Sequence, residues 1–120
     1  MSDAVLTAWR DEISQELLEV HQQLNDARHE FADATETARD ERRALNDLML
    51  TLSGHDGRTA LAAALQRRIS DKQDVVRRSL GAATRCEGAV TALIGKIADL
   101  EMALMQIGAL QSLQVVEAAV

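Results

Sequence analysis

Residues 6–52 read LTAWRDEISQELLEVHQQLNDARHEFADATETARDERRALNDLMLTL, and the spacing of the apolar side chains in this stretch decides the fold. Taken every seven residues, one row is Arg10, Leu17, Leu24, Phe31, Ala38, Leu45 and Leu52. The other is Leu6, Ile13, Val20, Ala27, Ala34, Glu41 and Leu48. Arg10 and Glu41 are the two departures, and no proline or glycine interrupts either row. A helix of this length runs to about 70 Å. Over that distance a straight helix would carry its apolar stripe away from any neighbour, so a strict heptad phase signals a coiled coil. The stretch therefore needs a second helix of comparable length along its side.

That helix follows in the same chain. Ser53-Gly54-His55-Asp56-Gly57 is the clearest break, with Gly54 suited to a left-handed helix end and Asp56 to capping the next helix. Ser2 or Asp3 can cap the first helix. From Arg58 the heptads restart, with Ala62, Ile69, Val76, Ala83, Val90, Ile97 and Leu104 in one row. The other holds Leu65, Lys72, Ser79, Cys86, Leu93, Leu100 and Ile107. Gly81 after Arg77-Arg78 resembles a helix stop, but the phase passes through it unshifted, so a single long helix is expected, with a break at Gly81 as the alternative. The expected organisation is one domain over residues 1–120: helix 3–52, turn 53–57, helix 58–118. The fold class is all-α, a long antiparallel helical hairpin expected to dimerise into a four-helix bundle.

Composition agrees. Among 120 residues there is no proline or tyrosine, one phenylalanine and one tryptophan, too little to build a sheet core rich in aromatic residues. Hydrophobic residues at 47% make a packed core possible. The net charge of −6 leaves no broad basic face, so nucleic-acid binding is not expected. The start, Met1-Ser2-Asp3, has no basic and apolar leader, and the most apolar run, residues 88–110, contains Lys96, Asp99 and Glu101. A single cysteine, Cys86, excludes an internal disulfide. These features favour the cytoplasm, with export by a route needing no cleavable signal still open.

Folding about His55 pairs positions whose numbers add to roughly 110. Ala27 then meets Ala83, Phe31 meets Ser79, Leu24 meets Cys86 and Leu17 meets Leu93, while Glu41 comes within a half-turn of Lys72. One polar pair in an apolar seam is a device for fixing register. In this register Leu6 pairs with about Leu104, so the second helix outruns the first by about sixteen residues. The overhang holds Ile107, Leu110, Leu113, Val115, Val116 and Val120, with Glu117 its one charge. A second apolar stripe, Ile94, Ala98, Met102, Met105 and Ala109, lies off the main seam, as do Val5, Trp9 and Leu18. An uncovered patch of this kind marks an interaction site.

Sites of chemistry are weaker. His21, Asn25, His29 and Asp33 recur at four-residue spacing, but the histidines are eight apart, which reads as a solvated face rather than a metal site. Glu12, Glu16 and Glu19 lack the Glu-x-x-His pairs of a bundle di-metal centre. Cys86 on a seam position reads as a small hydrophobe. Gly81, Gly88 and Gly95, spaced by seven, read either as a tolerant exposed face or as a groove for a close helix backbone. Residues 3–52 carry twelve acidic and five basic side chains, and residues 53–80 carry six basic and three acidic. The Arg67-Arg68 and Arg77-Arg78 pairs are thus expected to face the acidic first helix.

No catalytic residue, cofactor or metal is expected. The expected function is a non-enzymatic interaction module, an adaptor, assembly factor or small chaperone. Its interaction residues are Val5, Trp9, Ile94, Met102, Met105, Leu110, Leu113, Val116 and Val120, with Glu41 and Lys72 setting register. The expected partners are a second copy and another protein at the C-terminal apolar stripe. The alternative, a peripheral binder of membranes or hydrophobic surfaces, is disfavoured by the scarcity of Lys and Arg over residues 100–120.

Overall fold

The computed structural model describes residues 2–119. Two helices make up the fold, α1 (Asp3–Ser53) and α2 (Ala60–Ala119), paired as an antiparallel hairpin, with no strand among the described residues. Helix α2 runs through Gly81 without interruption. A side chain added at Gly81 would meet the Arg85 guanidinium at an ordinary 3.5 Å, so the glycine answers to no backbone constraint there.

The helix ends correct three expectations. Ser2 caps α1, its Oγ accepting from the Val5 amide at 3.2 Å. At the far end of α1 the amides of Gly54 and His55 donate to the carbonyls of Thr51 and Leu52, so the last turn tightens. No glycine has positive φ, and Gly54 is therefore not a left-handed cap. Thr59, not Asp56, caps α2: its Oγ1 accepts from the Ala62 amide at 3.1 Å. Asp56 instead folds the turn, accepting from the Arg58 amide at Oδ1 (3.0 Å) and from Thr59 at its carbonyl. The turn thus holds residues 54–59 and is displaced from the expected 53–57.

The chain divides into two compact units, Met1–Ala27 with Ala89–Val120, and Arg28–Gly88, each taking in a segment of both helices. In the first, Val20, Leu24 and Ile97 form a buried cluster edged by Leu17, Val90, Leu93 and Leu100, with Leu6 and Ile107 buried further out. Burying a side chain such as Leu24 stabilises by about 1.5–3 kcal/mol before ordering costs. In the second unit the buried residues are Ala38, Ala62, Leu65, Ile69 and Val76. There the Lys72 ammonium donates to Glu41 Oε2 at 2.7 Å, both side chains being largely covered. Glu41 and Lys72, one charged seam position from each helix, thus meet as the pattern implies.

The numbers of that pair add to 113, not 110. The physical reason is the Thr59 cap, which starts α2 at Ala60 and moves the centre of the turn past His55. The slip, together with an extra heptad of seam, shortens the expected sixteen-residue overhang. Gln111 Nε2 donates to Thr7 Oγ1 (3.4 Å), and Leu6 shares a cleft of about 230 Å³ with Leu110, Leu113, Gln114 and Glu117. Leu6 therefore lies beside residues well past Leu104. The seam continues through Ile107 into the half-buried Gln111 and Gln114. Polar amides carry it where leucines are absent.

Candidate interaction surface

Two helices cannot enclose every apolar residue that a helix of this length carries, and the excess is distributed unevenly. Among its described residues, the unit built from Met1–Ala27 and Ala89–Val120 exposes ten large apolar side chains: Val5, Trp9, Leu18, Ile94, Met102, Met105, Leu110, Leu113, Val115 and Val116. The Arg28–Gly88 unit exposes four, Met49, Leu50, Leu61 and Leu80. The expected interaction residues from Val5 to Val116 are all open to solvent, from 40% for Val5 to 69% for Met105. Val120 lies outside the described residues.

The cause of this exposure differs from the one the sequence suggested. Helix α2, at 60 residues against 51 for α1, outruns it by fewer residues than expected. Its buried seam passes through Leu100, Leu104, Ile107, Gln111 and Gln114, and the exposed stripe follows the other side of the same helix. A residue such as Met102 lies roughly 150° around the helix from the middle of that seam.

Charge sharpens the contrast. The first unit holds nine acidic side chains against two basic ones, Arg10 and Lys96. The second holds ten acidic and eleven basic. Lys96 is drawn to Glu16 at 3.4 Å, an exposed pair worth at most about 1 kcal/mol. The arginine pairs make no ion pair to α1. Arg77 bonds Asp74 on its own helix (3.1 Å), and Arg67, Arg68 and Arg78 enter no ion pair among the described residues. Their complementarity to the acidic helix is long-range only. Arg10, a departure from the seam, faces outward beside Asp11.

The remaining sequence candidates fall on the surface or in the seam. His21, Asn25, His29 and Asp33 are exposed, as are Glu12, Glu16 and Glu19. No three His, Cys, Asp or Glu side chains converge among the described residues. Cys86 is half-buried and unbridged. Gly88, Gly95 and Gly108 have nothing of this chain within 4 Å of an added side chain. Near the turn, Asn46, Met49, Leu50 and Ser53 line an open cleft of about 430 Å³ that sequence reasoning missed. The signal was present in the run Leu48-Met49-Leu50: consecutive apolar residues cannot all face one seam. Among the described residues no helix is long and apolar enough to cross a membrane.

Comparison with models of protein families, with curated proteins and with solved structures gives no match to this chain.

Proposed function

We propose that this chain is a non-enzymatic protein–protein interaction module, of the kind an adaptor, assembly factor or small chaperone provides. The docking face is that of the unit formed by Met1–Ala27 and Ala89–Val120. One observation carries the reading: among the described residues, ten of the fourteen exposed large apolar side chains fall in that unit, on a background of nine carboxylates and two basic groups. Apolar surface in such concentration is unfavourable in water and marks a contact. The acidic surround disfavours anionic membranes, which attract basic segments, and favours a protein partner. A cytoplasmic location accompanies this reading.

The test is affinity purification from the native cell with wild-type chain and with Trp9→Asp and Leu110→Asp, circular dichroism showing that the variants keep their helices. The expected result is a defined set of proteins recovered by wild type and lost by both variants. Recovery of the same set by all three would overturn the reading. Co-sedimentation of the wild-type chain with liposomes, in place of protein recovery, would transfer it to a lipid surface.

A further inference from the structure

The outer face of α2 carries a second heptad seam that is complete in itself. Stepping alternately by four and three, it runs Thr91, Gly95, Ala98, Met102, Met105, Ala109, Ser112 and Val116. All eight are exposed and none is charged. A heptad seam over 26 residues, about 39 Å of helix, is a pattern that only another helix can use. Six of the seven exposed large apolar side chains of α2 beyond Ala89 lie on it or directly beside it: Met102, Met105, Val116, Ile94, Leu113 and Val115.

The order of sizes along this seam is the same read in either direction. Outward from a midpoint between Met102 and Met105, methionine balances methionine and Ala98 balances Ala109. Gly95 then balances Ser112, and Thr91 balances Val116, which has nearly its shape. We propose that the occupant of this face is the same face of a second copy, packed antiparallel about a two-fold axis between Met102 and Met105. The proposal rests on the reading of this unit as a docking surface and names what docks there. A two-fold interface must be self-complementary, and a seam with this symmetry of sizes meets that condition in every layer. Met102 packs on Met105 of the partner subunit and Ala98 on the partner's Ala109, while the small ends allow close approach.

The flanking residues choose between directions. In an antiparallel pair, residues on the same flank face one another across the seam. Ile94 then meets the partner's Val115 and Ala92 meets the partner's Leu113, apolar on apolar. Asp99 meets the partner's Gln106, whose amide can donate to the carboxylate, and Glu101 meets the partner's Gly108. No carboxylate opposes a carboxylate. In a parallel pair Ile94 would lie against the partner's Asp99, and the Asp99 and Glu101 carboxylates of both copies would gather at one height. Like charges so placed are destabilising. The antiparallel arrangement avoids both faults.

Cross-linking tests the axis directly. In a Cys86→Ser background, chains carrying Ala98→Cys are mixed with chains carrying Ala109→Cys and oxidised. The expected product is a disulfide between unlike chains, with little between like chains. Disulfides predominantly between like chains would indicate parallel packing and overturn the proposal. Light scattering on purified wild type should give twice the chain mass of 13.1 kDa, falling to once that mass for Met105→Asp with its helical signal retained. A wild-type chain that stays at single mass would also overturn the proposal. Partner recovery still lost by Trp9→Asp and Leu110→Asp would in that case leave the broader docking reading standing, and the two failures are thus distinguishable.

Discussion

The two units of this hairpin use one heptad pattern to different ends. The Arg28–Gly88 unit is nearly charge-balanced, buries small and branched residues around one ion pair, and leaves four large apolar side chains exposed. The unit of Met1–Ala27 and Ala89–Val120 is strongly acidic, centres on the Val20, Leu24 and Ile97 cluster, and leaves ten exposed among its described residues. A two-helix pair covers one stripe per helix. Where α2 carries a single stripe the hairpin suffices, and where it carries two the second stays exposed. The difference is one of surplus: most of the exposed apolar surface lies in one unit, which is where the proposed docking face is placed.

Six substitutions test this contrast. The largest effect is expected from Leu24→Ala, which removes most of a 6%-exposed side chain from the cluster and should cost about 2–5 kcal/mol in urea unfolding. Hydrogen exchange should show the loss concentrated in the acidic unit; uniform loss along both helices would mean that the two units unfold as one. Next comes Glu41→Leu, which strands the largely covered Lys72 ammonium and should cost about 1–3 kcal/mol. Adding Lys72→Leu should recover that loss, because the second change removes the unpaired charge. Additive losses in the double-mutant cycle would show that the pair contributes no coupling.

Smaller effects probe the turn. Thr59→Ala removes the hydroxyl that accepts from the Ala62 amide and should cost about 1 kcal/mol. Asp56→Ala, which loses only the turn bond to Arg58, should cost less; the reverse order would return the cap to Asp56. The smallest effect is Gly54→Ala. With no positive φ and an added side chain 3.6 Å from the Thr51 carbonyl, it should stabilise by about 0.4–1 kcal/mol by restricting the unfolded chain. A clear loss of stability would show that the helix end needs glycine after all.

Much of this was legible in the pattern of residues. Heptads fix which face of each helix is buried, because the repeat of apolar positions is a property of one helix alone. Hence the two helices, a break in the glycine-containing segment between them and the polar match of Glu41 with Lys72 are legible in the residues alone. The exposed stripe Ile94, Met102 and Met105 was readable for the same reason. Axial register was not. A heptad seam slipped by half a repeat still lies on a seam, so the centre of the turn is set by capping at its ends and lies past His55. Lys72 and Glu41, taken as directly opposed, would have been the better gauge.

Local periodicity, the absence of proline and the paired polar departures determined by themselves that this chain is a helical hairpin with apolar residues to spare. Tertiary structure decided where the spare residues lie. The Thr59 hydroxyl won the cap over the Asp56 carboxylate, α2 began at Ala60, and Leu6 came to share a cleft with Leu110 and Leu113. Competition among nearby side chains for the same backbone amides is settled by geometry at the turn. Its outcome, carried along the helices, shortened the expected overhang and left the open face on the outer side of α2.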